Sequence, residues 1–140
     1  MTRTLQVFVW LSLVQIAARG ADLLWSDPYV RERALDLGGA EAAIWGTACL
    51  ASAAVVLVGL LSRRYAVLAN GCFMAFATYS MFAWHVLDET LLQVPPDDWR
   101  VFADHAVRGL MWLVIGSSIS VREGVLRIRK EKEDEALGLG

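Results

Sequence analysis

The chain has 140 residues, enough for one domain, and 56% of them are hydrophobic, against roughly 45–50% in ordinary soluble domains. Its 13 basic and 15 acidic side chains leave a net charge of −2, which excludes the basic surface a nucleic acid partner requires. A mean hydropathy of +0.45, unevenly distributed along the chain, points to a membrane.

In chain order, the first apolar stretch runs over residues 5 to 18, and its 14 residues cover only about 20 Å at the helical rise. It reaches bilayer thickness only as LSLVQIAARGADLLW, with Arg19 and Asp22 inside, so the first span is placed at 5–25. MTR followed by this stretch and IAARGA also has the outline of a signal peptide. The small-x-small rule fails, because Ala21 has Arg19 three positions before the cut and Ala18 has Ile16, so the segment is expected to be retained.

Residues 26 to 39, SDPYVRERALDLGG, begin with Ser26 or Asp27 as N-cap and Pro28 in the first turn, and end on Gly38 and Gly39. The pattern predicts a short helix lying along the membrane surface. Residues 42 to 61 are free of charge, giving a second span at 41–61. LSRRY at 61 to 65 is a tight turn that makes spans two and three an antiparallel hairpin. Residues 65 to 87 carry only His85 as a titratable group and form the third span. The next loop, DETLLQVPPDDWR, is broken by Pro95 and Pro96, after which Asp97 or Asp98 can cap the last helix. The fourth span, 101–121, recruits Asp104, His105 and Arg108, as the first recruits Arg19 and Asp22. The mixed-charge tail, 122–140, is expected to start helical and then fray.

The expected fold is therefore all-α: an integral membrane four-helix bundle in residues 1–121 with a charged tail. With both termini on one side, that side carries Arg3, Arg63, Arg64, Arg122 and the basic tail, for a balance of +3, and the other side a balance of −5. The Lys/Arg excess marks the cytoplasmic side, so both termini are expected in the cytoplasm of a cell bounded by this membrane. Trp25, Tyr29, Trp45, Trp84 and Trp99 fall near the outer boundary, as an aromatic belt does, whereas Trp10 and Trp112 fall at depth and are expected to pack.

Candidate chemistry is concentrated at the outer end. His85, Asp88 and Glu89 close span three, Asp104, His105 and Arg108 open span four, and Arg19 and Asp22 end span one. Arg19–Asp22 at i,i+3 and Asp104–Arg108 at i,i+4 can pair within their own helices. The plain reading is an interfacial ion-pair and hydrogen-bond network. The sharper ones are a divalent-metal site, with His85, Glu89 and His105 as candidate ligands, or a proton relay or pH-sensitive gate through the two histidines. Arg19 and Arg108 are expected to point toward the outer interface or the protein interior, and both histidines to share one side of the bilayer. No catalytic motif and no cofactor site is recognised. Cys49 and Cys72 lack a C-x-x-C arrangement and read as buried apolar residues. Small multidrug transporters share the four-span size but carry an essential acid in the first span, where this chain has only Gln15, so that family is set aside.

Small residues recur at four-residue spacing: Ala43, Thr47 and Ala51 in span two, Gly71 and Ala75 in span three, Gly116 and Ser120 in span four. Such faces let helices approach closely, either within the bundle or between protomers, and in the latter case Gln15, Ser117 and Ser118 could line a polar seam. Several closely spaced spans, a first span interrupted by polar residues and the charged tail RIRKEKEDE together resemble phage holins. The likeness is to the small multi-span proteins in lysis cassettes of phages of high-GC Gram-positive bacteria, and the preference for Arg over Lys fits such a source. The resemblance covers the whole chain in organisation only and assigns no site residue. It implies timed homo-oligomerisation in the cytoplasmic membrane, opening lesions that release or activate an endolysin. Two other functions stay open: an accessory or anchoring protein binding a partner through its tail or outer loops, and a small metal- or proton-handling protein.

Overall fold

The computed structural model describes residues 2–25, 39–91 and 99–136, with side chains throughout except at 39–40 and 88–91. Among the described residues there are four helices: α1 (Arg3–Trp25), α2 (Gly39–Leu61), α3 (Tyr65–Leu91) and α4 (Trp99–Ala136). All four are long and apolar enough to cross a membrane. The interfacial helix expected over 26–39, apart from Gly39, and the Pro95–Pro96 break lie outside the described residues.

Helix α2 stops where a residue takes the left-handed conformation. Arg63, with φ of 55°, occupies the position after the helix where glycine is the usual choice, and its amide reaches back to Leu60 O at 3.4 Å. Ser62 turns inward to the same helix, its amide and hydroxyl both bonding Val58 O, at 2.9 and 2.6 Å. Helix α3 begins at once, its first backbone bond running from Leu68 N–H to Arg64 O at 3.0 Å. Helices α2 and α3 thus form the antiparallel hairpin expected from LSRRY.

Neighbours in sequence are neighbours in space: α1 packs on α2, α2 on α3, and α3 most extensively on α4. Each helix turns one stripe inward. On α1 it is Val9, Leu13, Ile16, Gly20 and Leu23, spaced three or four apart; on α4 it is Trp112, Ile115 and Ile119. The opposite faces are apolar too, with Leu11, Val14, Ile44, Met81 and Val107 all more than half exposed. Apolar outside and inside suits lipid rather than water, and association then depends on close packing instead of hydrophobic burial.

Glycines supply that packing. A Cβ at Gly20 would lie 3.0 Å from Gly46 O, and one at Gly46 would lie 3.0 Å from Gly20 O, so α1 and α2 cross backbone to backbone. A Cβ at Gly59 would meet Leu68 N at 2.5 Å, and one at Gly71 would meet Val56 N at 2.7 Å, fixing α2 against α3. Gly109 faces Tyr79 and Gly116 faces Cys72, which sets α3 and α4 antiparallel. Between α1 and α4 the bundle is looser. An apolar groove of about 490 Å³ runs there between Leu5 and Phe8 on one side and Val107, Leu110 and Val114 on the other.

Helix α4 continues past the apolar stretch to Ala136, as a tail that starts helical requires, since Gly124 alone interrupts a run of good helix formers and Glu123 pairs with Arg127 at 3.8 Å. One feature differs from the sequence expectation. Trp112 is buried as expected, but Trp10 is 39% exposed and sits on the outer face of α1.

Candidate functional site

The polar site forms at the end of the bundle opposite the Arg63 turn, where α1 ends and α4 begins. Arg108 is its centre. Its Nε and Nη2 donate to Asp104 Oδ1, one turn earlier on α4, at 2.9 and 2.8 Å. With the Gln15 amide turned so that its oxygen faces α4, that oxygen accepts from Arg108 Nε at 2.9 Å and also from Nη1. This bond from α1 closes the looser α1–α4 side of the bundle. Arg19, one turn above Gln15, approaches Asp22 only to 3.9 Å. The Arg19 and Arg108 side chains are 26% and 32% exposed, while Asp22 and Asp104 are 62% and 48% exposed. The cations are therefore turned toward the protein and their acids outward, an arrangement that keeps the pair solvated while the guanidinium stems pack.

Behind this pair lies an aromatic layer. His105 is buried, and its Nδ1 lies 2.7 Å from Val101 O, which makes Nδ1–H the donor. The ring stands 5.2 Å from Phe82 and 6.2 Å from Tyr79, and Phe82 in turn packs on Trp45 at 4.5 Å. Tyr79 is fully buried in the same layer, and Trp112 Nε1 is buried with no hydrogen-bond partner among the described residues.

The structure thus brings Gln15, Arg19, Tyr79, Asp104, His105 and Arg108 together. His85 lies at the same end of the bundle, half-buried on α3, one helical neighbour away from the start of α4. The side chains of Asp88 and Glu89 lie outside the described residues. Among the described residues no three His, Cys, Asp or Glu side chains gather in a way that could hold a metal. Tyr79, Phe82 and Trp45 were not legible as site residues, because an aromatic in an apolar span carries no mark of the face it occupies. Gln15 was legible only as a polar residue at depth.

The small residues divide into two sets. Gly71, Ala75 and Gly116 are buried between helices and Ser120 is half-buried, whereas Thr47 and Ala51 are exposed and Ala43 half-exposed. Within the chain α2 packs instead through Gly46, Cys49, Ala53 and Val56, one position along from the Ala/Thr stripe. The Gln15–Ser117–Ser118 seam is an expectation for contacts between protomers; within one chain Gln15 and Ser118 have other partners. Gln15 is committed to Arg108, and Ser118 donates to Val114 O at 2.7 Å on its own helix. Thr47, Ser52 and Thr78 likewise donate to the carbonyl four residues back, at 2.7, 2.8 and 3.0 Å.

By the length and composition of its helices, the chain has the make-up of a multi-pass membrane protein. No family model, no curated protein and no solved structure is significantly similar to it.

Proposed function

We propose that the chain is a holin-like protein, with both termini cytoplasmic, that self-associates in the cytoplasmic membrane and forms or regulates lesions during phage lysis. One observation carries this reading: the protomer leaves its Ala43–Thr47–Ala51 face unused. Thr47 and Ala51 look outward, and the Thr47 hydroxyl is satisfied by Ala43 O, so the stripe offers small, nearly apolar surface to a second helix. In lipid such a face favours association because backbones can approach closely. The Arg-rich turn and the basic start of the tail at one end support the orientation.

The test is inducible expression in a bacterial host, following membrane potential and optical density. The expected result is abrupt depolarisation after a delay, abolished by Ala51→Leu. Steady growth with the protein present in the membrane fraction would overturn the reading. Gly71→Leu is unsuitable for this purpose, since a Cβ there already meets Val56 N at 2.7 Å and the protomer itself would fail.

An accessory role draws on a different observation. Beyond its apolar segment α4 continues as a helix on which Val125, Leu126 and Ile128 are about half exposed, a surface suited to a protein partner. Affinity purification with and without residues 123–140 tests it: a defined partner lost on truncation supports this role, and an unchanged set of partners rejects it.

A further inference from the structure

At the turn end of the bundle, a cavity of about 260 Å³ opens between the start of α1 and the α2–α3 hairpin. It is lined by Gln6, Gly59, Leu60, Arg63, Tyr65 and Leu68. Gly59, Leu60 and Leu68 give it apolar wall, and Gln6, Arg63 and Tyr65 carry donors. Arg64 follows Arg63 in the turn, and both are exposed and in no ion pair among the described residues. The lining holds no acidic side chain. A cavity lined by one cation, two further donors and apolar side chains suits a molecule that carries both an anionic and an apolar part.

We propose that this cavity binds the phosphate-bearing headgroup of an anionic phospholipid, with Arg63 on the phosphate, the glycerol region against Leu60 and Leu68, and Arg64, next to Arg63 in the turn, adding positive charge nearby. The assignment to the inner leaflet rests on the orientation proposed above; the site itself does not. Arg63 holds a left-handed backbone that glycine would adopt more easily, so Arg63→Gly removes the guanidinium at a position where the fold gains rather than loses.

The experiment is native mass spectrometry of the full chain released from nanodiscs of equal parts phosphatidylglycerol and phosphatidylcholine. The expected result is retained phosphatidylglycerol, about one per protomer, falling about fivefold for each arginine removed in Arg63→Gly and Arg64→Gln, as for a basic residue at an anionic surface. Retention at the bulk lipid ratio would overturn the proposal. So would an equal loss in the tail pair Arg127→Gln with Arg129→Gln, which alters charge at a distance from the cavity. Inorganic phosphate added to the chain in phosphatidylcholine nanodiscs should leave its thermal stability unchanged; stabilisation there would identify a soluble anion as the ligand instead. Orientation is read separately, from labelling of Ala136→Cys by a membrane-impermeant maleimide in intact cells. Labelling from outside would reverse the leaflet while leaving the nanodisc result intact.

Discussion

Arg108 ties α1 to α4, and its contribution is measurable at the level of one bond. Interhelical hydrogen bonds in membranes contribute about 0.6 kcal/mol on average and up to about 1.7 kcal/mol. Gln15→Ala and Arg108→Ala should therefore be coupled by about 1 kcal/mol in a double-mutant cycle of unfolding in detergent. Strict additivity would mean that the bond contributes nothing. Asp104→Ala should destabilise by about 1 kcal/mol, because Asp104 accepts two bonds near 2.9 Å from Arg108; an unchanged melting temperature would show that the pair contributes nothing. Glycines provide a second contrast. Gly124 has nothing within 4 Å of a built Cβ, so Gly124→Ala should be neutral or stabilise by up to about 1 kcal/mol through helix propensity. Gly59→Ala, with Leu68 backbone at 2.5 Å, should lower the melting temperature of the same preparation markedly. Equal effects of the two substitutions would contradict the close α2–α3 crossing.

At the scale of elements, α4 stands apart. Its 38 residues extend about 57 Å, nearly twice a hydrocarbon core of about 30 Å. The segment after Val121 is almost wholly exposed and holds its helix by local means, among them the Glu123–Arg127 pair. Deleting residues 123–140 should thus reduce the far-UV helical signal by about 14 residues' worth while leaving the melting temperature of the spans within error. A large fall in melting temperature would show that the tail packs back on the bundle. The α2–α3 hairpin is the opposite case. Two close crossings and a three-residue turn hold it, and it is the unit expected to survive longest in denaturant.

The whole molecule has a girdle of exposed apolar side chains around a core that is also apolar. Its polar groups gather at two levels, the Arg108 cluster at one end and the Arg63 turn at the other. Cys49 and Cys72 lie inside, both with no exposed surface. A membrane-permeant maleimide should leave both unmodified in the folded protein and modify both in denaturant. Rapid labelling of either cysteine in native membranes would mean that the bundle opens, with the α1–α4 side the place to look first. That side has an open groove below and the Gln15–Arg108 bond above.

The number and placement of the four described helices, each long and apolar enough to cross a membrane, were legible in the sequence, as was the turn at LSRRY. Charge-free runs of bilayer length in α2 and α3, shorter apolar runs extended by charged neighbours in α1 and α4, and a short arginine turn act locally, and no distant contact is needed to read them. The pairing of Asp104 with Arg108 was legible for the same reason, being one helical turn on a single helix. Which face of each helix looks inward was not legible. The spans are apolar all round, so periodicity gives no direction, and in lipid the choice falls to whichever backbones can come closest. Tertiary structure therefore selected Gly46 over its neighbour Thr47, buried Tyr79 and Phe82 beside His105, and gave Arg108 its partner Gln15 from a helix some ninety positions away. Those outcomes depend on steric fit between segments distant in the chain, which no single stretch of sequence contains.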